Sequence, residues 1–98
     1  MEAIKKLSGF YEQIADDCRI GASHISLYMA FFECWNRNKF CGPVIFNSRE
    51  IMKMAKIDSR ATYHKCLKDL VEFGYVKYFA SFNPVVKNKV YLDDDCKI

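Results

Sequence analysis

The sequence predicts a small α+β domain: a helical core closed by a short strand and a β-hairpin, with one extra helix ahead of it. Three observations predict this class. Apolar residues recur at spacings of three and four in four separate stretches, the signature of amphipathic helices. Short runs rich in β-branched and aromatic residues, Val44-Ile45-Phe46, Tyr75-Val76-Lys77-Tyr78-Phe79 and Lys89-Val90-Tyr91-Leu92, stand before the third helical stretch and after the fourth. Capping residues and glycines punctuate the boundaries between them.

The first helix is expected over residues 2 to 18, with Ile4, Leu7, Tyr11, Ile14 and Cys18 inside and Lys5, Lys6, Glu12 and Asp16 outside. Ser8-Gly9 weakens its middle. Two roles are open to it: packing on its own domain, or serving as a dimerisation arm. Gly21 breaks the pattern, and a second helix is expected over residues 23 to 37. It is apolar nearly all round, from Ile25 and Leu27 to Phe32, Cys34 and Trp35. A helix in so small a domain rarely has protein on every side, so either the first helix or a second subunit must cover the surplus.

Residues 36 to 42 read as a loop, and Pro43 opening a β-prone run fits an edge strand. Asn47-Ser48-Arg49-Glu50 has the spacing of a capping box, with Asn as the cap, and starts a short helix whose inner face is Ile51, Met54 and Ala55. Lys56-Ile57-Asp58 turns the chain, with Ile57 plugging the core between this helix and the next. The fourth helix follows. Ser59, with Asp58 as rival, caps its start, and Gly74 can take the left-handed conformation that ends it. Tyr63, Cys66, Leu67, Leu70 and Val71 form its core stripe, while Arg60, His64, Lys65 and Lys68 face outward, and Asp69 and Glu72 come later. In the hairpin, Val76 and Tyr78 should face inward and Lys77 and Phe79 outward, with residues 81 to 88 as an extended loop.

Composition narrows the function classes. The 98 residues suffice for one domain, and 51% hydrophobic with 15% aromatic content supports a packed core rather than disorder. No apolar run reaches the roughly 20 residues of a membrane span, and the N-terminus has no apolar signal segment, so a cytoplasmic protein is expected. The five cysteines, Cys18, Cys34, Cys41, Cys66 and Cys96, include no C-x-x-C pair and read as reduced thiols; neither His24 nor His64 has metal-ligand partners beside it. No metal or cofactor is expected. Nor is an enzyme, since there is no glycine-rich phosphate loop, paired-carboxylate motif or nucleophile elbow.

The net charge of +3 is unevenly spread. Residues 1–20 carry −1, 21–58 carry +2, 59–92 carry +4 and the tail 93–98 carries −2. The most positive segment coincides with the fourth helix and the hairpin, which favours a polyanionic partner.

Helix, strand, helix, turn, helix and hairpin, preceded by one extra helix, is an order that resembles the winged helix-turn-helix family. The carrying residues are Asn47 to Ala55 for the supporting helix, Ile57-Asp58-Ser59-Arg60-Ala61-Thr62-Tyr63 for the turn and helix start, and Leu67, Leu70 and Gly74-Tyr75-Val76 for the exit into the wing. The likeness, to small bacterial transcriptional regulators and to winged-helix domains of replication-associated proteins, covers residues 22 to 92. It implies three parts: an N-terminal helix (1–20), a winged-helix domain (21–92) with a three-helix core, short β-strand and β-hairpin wing, and an acidic tail (93–98).

The function this resemblance implies is sequence-specific binding of double-stranded DNA by a transcriptional regulator, with residues 59–73 in the major groove and the wing, 81–89, on the backbone. Arg60 is placed to pair with a guanine, Thr62 and His64 to make shorter polar contacts, and Lys65 and Lys68 to meet phosphates. Ser48 and Arg49 stand at a helix start that favours an anion, as Ser59 does, and Lys87, Asn88 and Lys89 belong to the wing. A homodimer through residues 1–37, reading two half-sites, is the expected assembly. The alternative is a winged-helix protein-interaction module in a replication, mobilisation or regulatory assembly, using aromatic residues of the second helix or Phe79 and Phe82 of the wing.

Overall fold

The computed structural model describes residues 2–40, 43–79 and 88–92, with side chains from residue 4 onward. Four helices precede and flank a small antiparallel sheet: α1 (Glu2–Ala15), α2 (Ala22–Arg37), β1 (Val44–Phe46), α3 (Ser48–Ala55), α4 (Arg60–Glu72), β2 (Lys77–Phe79) and β3 (Asn88–Tyr91). The α+β class is therefore observed, in an arrangement compatible with a winged helix. The extended loop expected over residues 81–88 lies outside the described residues apart from Asn88, as do Lys87, Phe82 and the acidic tail.

Helix α2 is the centre. Leu27 and Phe31 are fully buried, and Tyr28, Ala30 and Trp35 nearly so. Against it pack Ile51 and Ala55 of α3, Tyr63, Cys66, Leu67 and Leu70 of α4, and Val44, Phe46, Val76 and Val90 from the sheet side. Part of its apolar surface is covered by α1: Phe10 stacks on Tyr28 with ring centroids 3.7 Å apart and also meets the Tyr75 ring edge-on, while Ile25, Met29 and Phe32 stay half-buried. Ile57 is buried between α3 and α4, where the sequence places it.

The inner face of α1 differs from expectation. Ile4 and Tyr11 are 61% and 45% exposed, Cys18 lies beyond the end of the helix at Ala15, and the residue that enters the core is Phe10. Leu7, Phe10 and Ile14 form the buried stripe, rotated from the one through Ile4 and Tyr11 because the aromatic surface of Tyr28 and Tyr75 lies on Phe10's side.

Helices α2, α3 and α4 all terminate in the same hydrogen-bonded motif. Phe40 N–H donates to the Trp35 carbonyl and Lys39 N–H to that of Asn36; Ile57 N–H donates to Met52 and Lys56 N–H to Lys53; Tyr75 N–H donates to Leu70 and Gly74 N–H to Val71. These are paired six-to-one and five-to-two bonds that satisfy the last carbonyls of a helix and require a left-handed residue just past its end. That residue is Lys39 (φ 56°), Lys56 (φ 61°) and Gly74 (φ 85°) respectively. The Ser26 hydroxyl donates to the Ala55 carbonyl, tying α2 to the end of α3.

The sheet order is β1-β3-β2, all antiparallel, so β1 is the edge strand that Pro43 allows. Val44, Val90 and Tyr78 pair across it on the core side, which confirms Val76 and Tyr78 inward and Lys77 and Phe79 outward.

Candidate nucleic-acid interface

Helix α3, the turn through residues 56–59 and helix α4 carry most of the residues the sequence assigns to DNA. The Asn47 side-chain oxygen accepts from Arg49 N–H at 2.8 Å, fixing the first turn of α3 with Ser48 half-buried in it and the Arg49 side chain exposed. Ser59, not Asp58, caps α4: its hydroxyl oxygen accepts from Thr62 N–H at 3.2 Å. The Ser59 hydroxyl is thus engaged in holding the helix start, and Thr62 is half-buried beside it. Arg60, the first residue of α4, is exposed, and so is His64, whose ring lies 5.1 Å from that of buried Tyr63. Burial pushes the Tyr63 hydroxyl up to about 12.

Charge availability divides α4 in two. Lys65 Nζ donates to Asp69 Oδ2 at 3.0 Å, and Lys68 lies 4.0 Å from Glu72, so both lysines assigned to phosphates sit one turn before an acidic partner. Asp69 is bound from a second side. Gly21 N–H donates to His24 Nδ1 at 3.0 Å, which leaves the ring proton on Nε2, and Nε2 donates to the same Asp69 Oδ2 at 2.8 Å. First the His24 bond and then the Lys65 bond hold the Asp69 carboxyl below the usual aspartate range, and Asp69 in turn raises Lys65. His24 is buried, at 7% exposure, and joins the start of α2 to α4 across 45 residues of sequence.

By contrast, Arg49, Lys53, Lys56 and Arg60 are exposed and make no ion pair among the described residues. Lys53 and Lys56 were not among the residues sequence reasoning singled out. Part of the signal was available: Arg49 and Lys53 are four apart on the outside of α3, and Lys56 follows just past its end.

A groove of about 390 Å³ separates α4 from the hairpin, lined by His64, Leu67, Lys68, Val71, Glu72 and Tyr78. Within the hairpin the register sorts the expected wing residues. Asn88 pairs with Phe46 and shares the core-side parity of Val90, half-buried, whereas Lys89 lies on the outward face between Ile45 and Phe79. Lys87 is outside the described residues.

Beyond α4 a second polar cluster fastens the chain. The Arg19 guanidinium grips Asp17 with two bonds, at 2.7 and 2.8 Å, and lies 3.7 Å over the Phe73 ring; the Tyr75 hydroxyl donates to Asp17 at 2.8 Å. Arg19 holds the Asp17 carboxyl well below its ordinary range. Burial pushes the Cys34 and Cys66 thiols up, away from the reactive thiolate. Among the described residues, no helix is long and apolar enough to cross a membrane, and no group of three or more histidine, cysteine or acidic side chains is gathered as for a metal ion. No protein-family model, curated protein or solved structure matches the chain.

Proposed function

We propose that the chain is a winged helix-turn-helix protein that binds double-stranded DNA, as a transcriptional regulator does, with the first turn of α4 directed into the major groove. The observation that carries this reading is the set of four exposed, unpaired cations, Arg49, Lys53, Lys56 and Arg60, on α3, the turn and the start of α4. A helix reads base edges from its early residues while neighbouring groups hold phosphates. Arg60 takes the base-reading role, and Arg49, Lys53 and Lys56 the phosphate-holding one. Lys65 and Lys68, engaged with Asp69 and Glu72, are secondary, which favours a glancing insertion of α4 over one along its full length. Assembly as a homodimer through residues 1–37 would use Ile4 and Tyr11, seven residues apart and exposed on α1.

The test is fluorescence anisotropy of a labelled duplex at two salt concentrations. Wild-type binding should weaken with salt at a slope of about −0.9 per phosphate contact, and Lys53→Ala should lower that slope by about one while weakening all sequences alike. Arg60→Ala should cost about 1–3 kcal/mol on the preferred sequence and relax the choice of one base. Absence of binding at low salt, or Lys68→Ala costing as much as Lys53→Ala, would overturn the assignment.

A second reading, an interaction module, draws on the exposure of Ile45 (59%) and Phe79 (56%) on the sheet.

A further inference from the structure

We propose that the outward face of the three-stranded sheet is a stacking platform for single-stranded DNA, separate from the duplex site on α3 and α4. The strand register builds this face. Ile45, Lys89 and Phe79 stand in one row across β1, β3 and β2, and the next pair along is Tyr91 beside Lys77. The Phe79 ring meets the Tyr91 ring edge-on, centroids 5.4 Å apart and planes at 86°, and Phe79 is 56% exposed. Four large hydrophobic residues are exposed among the described ones, and two of them, Ile45 and Phe79, lie in this single row. No acidic residue occurs in any of the three strands.

The chemistry of the row decides its occupant. A protein partner would cover an apolar patch whose centre is free of lysine, because protein interface cores are depleted in charge. Here the lysine is the centre: Lys89 separates Ile45 from Phe79, and Lys77 flanks Tyr91. Aromatic faces interleaved with ammonium groups suit a strand that presents bases and phosphates in alternation, and sheet platforms of this kind stack two or three bases. A duplex does not fit the same face, since its bases are already stacked on one another. Among the described residues of these rows only Tyr91 carries a hydroxyl that both donates and accepts, one such group against a ribose on every nucleotide, so the assignment is to DNA.

The experiment is anisotropy of a labelled oligothymidylate of about fifteen nucleotides, at low and moderate salt, beside a labelled duplex and an oligouridylate of equal length. The proteins are wild type, Phe79→Ala, Lys89→Gln and Arg60→Ala, each checked by thermal melting. Lys89→Gln is expected to reduce the salt dependence of single-strand binding, and Phe79→Ala to weaken single-strand binding about tenfold with melting temperature and duplex affinity unchanged. Arg60→Ala is expected to do the reverse, so failure of the duplex reading and failure of this one give different patterns. The proposal is overturned if wild type does not bind the oligothymidylate at low salt, if Phe79→Ala binds it as wild type does, or if Arg60→Ala weakens it as much as Phe79→Ala. Tighter binding of the oligouridylate overturns the assignment to DNA. A wild-type dimer in sedimentation that Phe79→Ala dissociates overturns it in favour of a second copy.

Discussion

The ends of α3 and α4 are built alike and filled differently. Both close with the same pair of backbone bonds around one left-handed residue, yet that residue is Lys56 in one and Gly74 in the other. Sterics do not explain the glycine, because a Cβ at Gly74 would meet nothing within 4 Å. The backbone angle does. Lys56, at φ 61°, sits at the centre of the left-handed region, where a side chain is strained but tolerated, whereas Gly74, at φ 85°, lies well outside it. A lysine at a helix C-terminus also gains from the dipole, which offsets part of its strain. One hydrogen-bonding pattern can therefore leave room for a charged side chain or exclude it, according to some 24° of φ.

The sharpest way to break this comparison is Gly74→Ala. With no clash to relieve, its whole cost is conformational, about 1–2 kcal/mol of stability, read as a lower melting temperature or denaturant midpoint. Lys56→Gly has the smaller expected effect on stability. Relief of the left-handed strain is countered by chain entropy and the lost charge at the helix end, leaving a change within about 1 kcal/mol. Its duplex affinity, however, should fall severalfold, with the salt slope lowered by about one phosphate contact. Lys39→Gly, at the equivalent position of α2 with φ 56°, supplies the smallest effect: the same near-neutral stability and an unaltered duplex titration. Should Lys39→Gly and Lys56→Gly weaken duplex binding equally, the effect would be one of overall charge, and the site on α3 would lose its support.

How far the sequence could be read depended on whether a residue's role is local. The core stripe of α4 was legible because Tyr63, Cys66, Leu67, Leu70 and Val71 form one face with no competitor. Gly74 and Ser59 were legible because caps act within a few residues. In α1 two apolar stripes overlap, and periodicity cannot choose between Tyr11 and Phe10; the choice is made by Tyr28 and Tyr75, which lie far along the chain. The bond between His24 and Asp69 was invisible for the same reason. The pairing of Asp69 with Lys65 and the placing of Arg49 and Lys53 on one side of α3 were local and could have been read from spacing. The parity of Asn88 needed the register with Phe46, which no pattern within the hairpin supplies.

Tyr75 also orders events during synthesis. Its ring packs on Phe10 and its hydroxyl bonds Asp17, so α1 and the segment after it are fastened to a residue that immediately follows the turn at Gly74. A ribosome adding about 5–20 residues per second must extend the chain 58 positions beyond Asp17 before that clasp can close. Until then α1 lacks this clasp and rests on the packing of Phe10, Leu7 and Ile14. The docking of the first helix to be made therefore completes only once the polypeptide has grown past α4.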